Sequence, residues 1–192
     1  DHIQFFQFVN FVGFDQGPAT HRCGLARLRG GEEDRFDSGE IILFLDGDDE
    51  LTNDTLSTLA ASRTKSAAMY HYPSHLINES GAKLGQYPPP HTQMDSGELS
   101  QKLRRLGTIS TTVTAGQAYP RQTLEKVMPI DVDTFFTGSD GYLSSVAPLY
   151  GDVVLIQQPL SRYRRHSTNH TNFEHSLLKR AVWGIEHNEH CY

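Results

Sequence analysis

Glu40-Ile41-Ile42-Leu43-Phe44-Leu45-Asp46-Gly47-Asp48-Asp49 places five consecutive apolar residues directly before a cluster of three acids. A short run of branched and aromatic side chains with polar residues at both ends reads as a strand buried on both faces. Its carboxyl end delivers Asp46, Asp48 and Asp49 to one spot. Ligands of open α/β sheets bind at the carboxyl ends of strands. Hard oxygen ligands there suit Mg²⁺ or Mn²⁺, with diphosphate oxygens completing the shell. The stretch reads as a metal–diphosphate site at a strand end.

Three other readings compete for the same residues. An acidic turn that caps the next helix is the plainest. A calcium EF-hand loop fails, because its sixth position is Leu51 where glycine is needed and its twelfth is Ser57 where glutamate is needed. A phosphatase of the haloacid dehalogenase type also sets Asp-x-Asp after a strand, but its motif continues with Gly-Thr or Gly-Val. Here Asp49-Glu50 follows, which makes it the weaker rival.

The chain has 192 residues, 37% apolar and 21% charged, enough for one domain with a real core. A formal charge of −6 argues against a nucleic-acid partner. Cys23 and Cys191 make no disulfide framework. No apolar run approaches the roughly 18 residues that span a bilayer. The chain opens with Asp1, inside what reads as a strand, so a fragment lacking its N-terminal part is expected.

Strand and helix patterns alternate along the chain, which predicts α/β or mixed α/β organisation. Ile3 to Phe14 reads as a strand, and Ala19 to Arg29 as a helix carrying Arg22. Thr52 or Asn53 caps a helix to about Arg63, with Leu56 and Leu59 inward. Ala67 to Ile77 reads as one strand, returning through the turn Asn78-Glu79-Ser80-Gly81 as a hairpin over Ala82 to Tyr87. Glu98 to Leu106 is a short helix with Leu99, Leu103 and Leu106 apolar, and Ile109 to Tyr119 a strand. Pro120 opens a helix that ends before Pro129. Gly141 to Leu149 is a helix, Asp152 to Ile156 a strand, and Pro159 to His166 extended and basic. Phe173 to about His187 is amphipathic through Leu177, Leu178, Ala181, Val182 and Ile185.

A series of motifs carries a resemblance. After the Asp-x-Asp-Asp strand end come Thr114-Ala115-Gly116-Gln117-Ala118-Tyr119-Pro120-Arg121 and Met128-Pro129-Ile130. Asp140-Gly141-Tyr142-Leu143 follows before a helix, then Gln158-Pro159-Leu160 and Tyr163-Arg164-Arg165-His166-Ser167-Thr168-Asn169. In this order they resemble the family 2 glycosyltransferases, with the GT-A, nucleotide-diphospho-sugar transferase fold. Asn10 to Arg22 is similar to an N-terminal segment of that family, although the family's Arg-Asn-x-Gly is here Arg22-Cys23-Gly24. The resemblance implies a mixed, mainly parallel central sheet flanked by helices over residues 1–170, and a C-terminal amphipathic helix over 171–192. It also implies that the base-binding strands at the N-terminus are missing.

By the same resemblance, Asp48 binds Mn²⁺ or Mg²⁺ directly, and Asp46 holds the ribose or the metal through water. Asp140 is the general base, with an N-cap as the alternative role. His166 ligates the metal or touches phosphate, and Arg164 or Arg165 suits phosphate oxygens. Gly116 and Gln117 shape the donor-sugar or acceptor pocket, or are small packing residues of a strand. Arg22 approaches the diphosphate or lies on its helix surface. The implied function is inverting, metal-assisted transfer from a nucleotide-diphospho-sugar to a glycan, lipid-linked or protein acceptor. The implied location is cytoplasmic, at the membrane surface where the acceptor is lipid-linked. The alternatives are a non-catalytic remnant that binds sugar or a partner, and the phosphatase.

Overall fold

The computed structural model describes residues 3–7, 40–130 and 139–166. The segments read from sequence as the helix of Ala19 to Arg29, the continuation of the first strand beyond Gln7 and the C-terminal amphipathic helix lie outside the described residues.

The decisive apolar run is β2 (Ile41–Leu45), and all five of its residues are buried. Its alternation divides two cores. Ile42 and Phe44 pack with Met69, Leu103, Tyr119, Leu124, Leu143 and Val153 on one face. Ile41 and Leu43 pack with Leu59, Tyr70, Tyr72, Ala118 and Leu160 on the other. A strand buried on both faces needs apolar residues at every position, and each such side chain contributes about 1.5–3 kcal/mol.

β2 belongs to a five-stranded sheet with β1 (Ile3–Gln7), β4 (Ala67–His71), β7 (Gln117–Pro120) and β8 (Asp152–Leu155), in the order β1-β2-β7-β4-β8. β1 runs parallel to β2, and β4 parallel to β8. β7 lies between β2 and β4 and is antiparallel to both. The sheet is therefore mixed and mainly parallel, with helices α1 (Thr55–Ala61), α2 (Ser100–Leu106), α3 (Arg121–Val127) and α4 (Ser139–Val146) connecting it. A second, four-stranded sheet is formed by β3 (Glu50–Leu51), β5 (Ser74–Ile77), β6 (Lys83–Tyr87) and β9 (Ser161–Arg164), in the order β3-β9-β5-β6.

Several expectations need correction. Ala67 to Ile77 is not one strand. It splits at Tyr72-Pro73 into β4 and β5, which serve different sheets. Proline has no N–H for a ladder, and the chain leaves the first sheet where Tyr72 N donates to Gly116 O at 2.9 Å. Ile109 to Tyr119 is strand only from Gln117, because Thr114–Gly116 tightens into a 3-10 turn. The helix after the acidic turn has Asp54 at its N-cap position, not Thr52 or Asn53, and Leu56 is 41% exposed. Leu106 is likewise exposed, while Leu99 and Leu103 are buried. The hairpin β5–β6 forms as expected, because Gly81 takes a positive φ of 83° and Asn78 Oδ1 accepts from the N–H of Ser80 and Ala82.

At the carboxyl end of β4 a polar network is buried. His71 is fully enclosed, its Nε2 donating to Asp95 O at 2.7 Å and its Nδ1 accepting from Thr111 Oγ1 at 2.9 Å. The Asp95 carboxylate accepts from Ser110 N at 2.6 Å and from Lys102 Nζ. These bonds hold the stretches on either side of α2, at Asp95 and at Ser110–Thr111, against the sheet.

Candidate active site at the end of β2

The chain turns sharply as it leaves β2. Asp49 N donates to Asp46 O at 3.0 Å, which closes a turn over Asp46-Gly47-Asp48-Asp49. The three carboxylates diverge in environment. Asp49 is only 4% exposed and points into the protein, where its Oδ1 accepts from Arg164 N at 2.8 Å. Its Oδ2 is buried without a hydrogen-bond partner. Burial is the main reason its pKa is pushed up to about 8, with Asp46 and Asp48 adding repulsion and the Arg164 N–H opposing it. Asp46 is half-buried, and burial, then Asp140, then Asp48 raise its pKa to about 6.

Asp48 keeps 32% of its side chain exposed, and its Oδ2 lies 2.6 Å from His166 Nε2. His166 follows β9, which runs parallel to β5 and antiparallel to β3. The β9 ladder thus carries the C-terminal basic segment to the acidic turn. Tyr163 is buried on β9, and burial followed by the charge of the three acids holds its phenol well above the usual range.

Asp140 lies on a different element, α4. It is the second residue of α4 and not the residue before the helix, because the helix begins at Ser139. Its Oδ2 accepts from Thr114 Oγ1 at 3.1 Å and its Oδ1 from Gly141 N at 2.9 Å. A first-turn carboxylate is favoured by the helix dipole. Its charge is the second cause, after burial, of the upward shift of Asp46.

The other expected residues fall differently. Gly116 and Gln117 are buried in packing beside the site. Gln117 Nε2 donates to Thr112 O at 2.7 Å and its Oε1 accepts from Tyr119 O–H at 2.5 Å, so its amide is engaged by the protein. A Cβ at Gly116 would lie 2.5 Å from both Thr112 Cγ2 and Tyr72 O. Arg165 is exposed just after β9, its N–H bonded to Ile77 O at 2.8 Å. Arg22 lies outside the described residues. Sequence reasoning missed Thr114 as the partner of Asp140, although it stands in one of the quoted motifs. It also missed that the Arg164 guanidinium is taken up by protein oxygens.

Asp46, Asp48 and Asp140 concentrate negative charge in a half-buried place, which a cation would relieve. Asp48 offers a carboxylate oxygen and His166 an imidazole nitrogen, donors that fit Mn²⁺ or Mg²⁺ when a diphosphate supplies further oxygens. Among the described residues no group of three or more His, Cys, Asp or Glu side chains forms a complete metal-ligand cluster. No helix among them is long and apolar enough to cross a membrane.

No protein-family profile matches the chain. The chain is 27% identical over 135 residues to an uncharacterised glycosyltransferase of Nostoc sp., a match that covers 69% of this chain and 41% of that protein. The match therefore spans about two fifths of the length of that relative. A structure of S. aureus TarS 1-349 in complex with UDP-GlcNAc superposes with a TM-score of 0.45 at 12% identity, over 79% of this chain and 42% of that one. A second S. aureus TarS structure gives a TM-score of 0.45 at 14% identity, over 68% and 23% of the two chains.

Proposed function

We propose that this chain is the catalytic portion of a glycosyltransferase that moves a sugar from a nucleotide-diphospho-sugar to an acceptor hydroxyl with inversion. The observation that carries this reading is the contact of Asp48 with His166 in the acidic turn at the carboxyl end of β2, where Asp46 also stands and feels the charge of Asp140. Similarity to a glycosyltransferase over 135 residues supports it.

Asp48 and His166 hold a divalent ion, Mn²⁺ or Mg²⁺, on this reading. When bound, that ion offsets the charge that develops on the leaving diphosphate. Asp46, between Asp48 and Asp140 in its electrostatics, faces the ribose or a water on the metal. Asp140 accepts the proton of the acceptor hydroxyl as that oxygen attacks the anomeric carbon. Thr114 Oγ1 donates to one Asp140 oxygen and the Gly141 N–H to the other, which fixes the carboxylate's direction. The acceptor is a glycan, a lipid-linked sugar or a protein, and a lipid-linked acceptor would bring the protein to a membrane surface.

Calorimetric titration with uridine diphosphate, with and without Mn²⁺, tests the reading. Metal-dependent binding that disappears in Asp48→Ala is the expected result. Absence of binding to uridine, guanosine and thymidine diphosphates alike would leave the chain a remnant or a piece that needs further sequence to bind its donor.

A further inference from the structure

Arg164 closes β9 between two turns that are distant in sequence. Its Nε donates to the backbone oxygen of Asp48 at 2.8 Å, and its Nη2 to Glu50 Oε1 at 2.5 Å. On the other side its Nη1 donates to the carbonyls of Asn78 and Glu79, both at 3.0 Å. Those two carbonyls belong to the turn of the β5–β6 hairpin. The Arg164 backbone N–H adds the bond to Asp49 Oδ1. The side chain is only 18% exposed. A guanidinium has five N–H groups in a rigid plane, and four of these bonds point from it to fixed protein oxygens.

We propose that Arg164 is a positioning residue: its guanidinium tethers the β5–β6 hairpin turn to the acidic turn and thereby seats His166 against Asp48. Three observations converge on this. The Asp48 carbonyl is held from one side, which fixes the direction in which the Asp48 side chain leaves the turn. The strand that bears Arg164 is held by Asp49 and by the Arg165 N–H to Ile77 O. His166 stands two residues beyond the clamp and meets Asp48 at 2.6 Å. A guanidinium committed in this way is not the one that receives the diphosphate. Lysine replaces it only in part, because one ammonium does not span acceptors on opposite sides of a planar fork.

The effect on transfer rests on the proposed glycosyltransferase activity, whereas the tether itself does not. Hydrogen–deuterium exchange and transfer kinetics on the full chain separate the two, using Arg164→Met, Arg164→Lys and Arg162→Met. Arg162 neighbours the clamp and pairs with Glu50 at 3.3 Å, both side chains being exposed. In Arg164→Met the amides of both turns, around Gly81–Ala82 and around Asp49, should gain exchange together while β2 and β4 stay protected. Turnover should fall on the order of 100-fold, more in kcat than in donor KM, as expected of a misplaced site. Arg164→Lys should show the same pattern in milder form and serves as the deciding variant if Arg164→Met does not fold. Arg162→Met should match the wild type in both readouts. Loosening of only one turn, or of neither, would overturn the tether. Joint loosening with unchanged turnover would overturn the positioning role. A wild type without transfer would sink the proposed activity and leave the exchange result to decide the tether alone.

Discussion

His166 Nε2 lies 2.6 Å from Asp48 Oδ2 across 118 residues of sequence. The contact joins the acidic turn after β2 to the basic end of β9, two segments that each look ordinary alone, and on the proposed reading they form one binding unit.

A unit has a measurable signature. His166→Ala and Asp48→Ala should each weaken Mn²⁺-dependent binding of uridine diphosphate by at least about tenfold. On the proposed reading both residues hold the same ion, so the double variant should lose little more than either single one. Calorimetry of the four proteins checks this, and simple additivity of the losses would separate the residues.

Asp140→Asn keeps the shape and the acceptor for Thr114 while removing the proposed base. Donor binding should stay within about twofold, and transfer should fall about 10²–10⁴-fold. Unchanged transfer would return Asp140 to an electrostatic role at the start of α4.

Asp49→Asn retains an oxygen for the Arg164 N–H and removes a buried charge. The native carboxyl has its pKa raised to about 8 from 3.8, so its contribution to stability is present at low pH and is lost as pH rises toward and through 8. Without metal, Asp49→Asn should therefore gain stability relative to the wild type as pH climbs from about 5 to 9. Urea midpoints at those two pH values read the difference, and a constant gap would place the carboxyl in a more open setting.

His71 supplies the opposite sign. Burial lowers its pKa from 6.5 to about 4 in the folded protein. Between those values the unfolded chain binds a proton that the folded chain refuses, so acidification through this window costs stability, up to about 3 kcal/mol. His71→Gln should be less stable at neutral pH but should show a flatter acid limb. The measurement is the difference between the two pH profiles, since Asp46 and Asp49 tilt both of them alike.

Gly116→Ala tests packing next to the site. The added Cβ would meet Thr112 Cγ2 and Tyr72 O at 2.5 Å, one of them backbone. A loss of about 1–3 kcal/mol is expected from overpacking, read as a lower urea midpoint. A neutral result would show that the Thr114–Gly116 turn yields easily.

The sequence made β2 legible because a strand buried on both faces has no polar position to confuse its pattern, and the acids that end it were visible for the same reason. Where local propensity continued past a tertiary boundary, it misled. Ala67 to Ile77 is rich in strand formers, but Pro73 removes a ladder N–H and the chain changes sheets there. Gly141 suggested where α4 begins, whereas Asp140 already lies inside its first turn. Thr and Val between Ile109 and Gly116 implied a strand, yet the segment is irregular and fastened by His71 and Asp95. The Arg164 clamp was illegible because three of its acceptors are backbone carbonyls, which leave no mark in a sequence.

The reversed direction of β7 has a practical consequence. Because it runs against its neighbours, the residues before it reach the acidic end of the sheet and those after it emerge at the far end. Arg121 N bonds Glu40 O at 2.9 Å, at the start of β2. Six residues of extended chain, about 20 Å, separate that point from Asp46. Gln122, exposed on α3, is thus a handle on the back of the molecule. A dye or surface linker attached there leaves the mouth of the site facing solution, which suits the protein to immobilised binding assays.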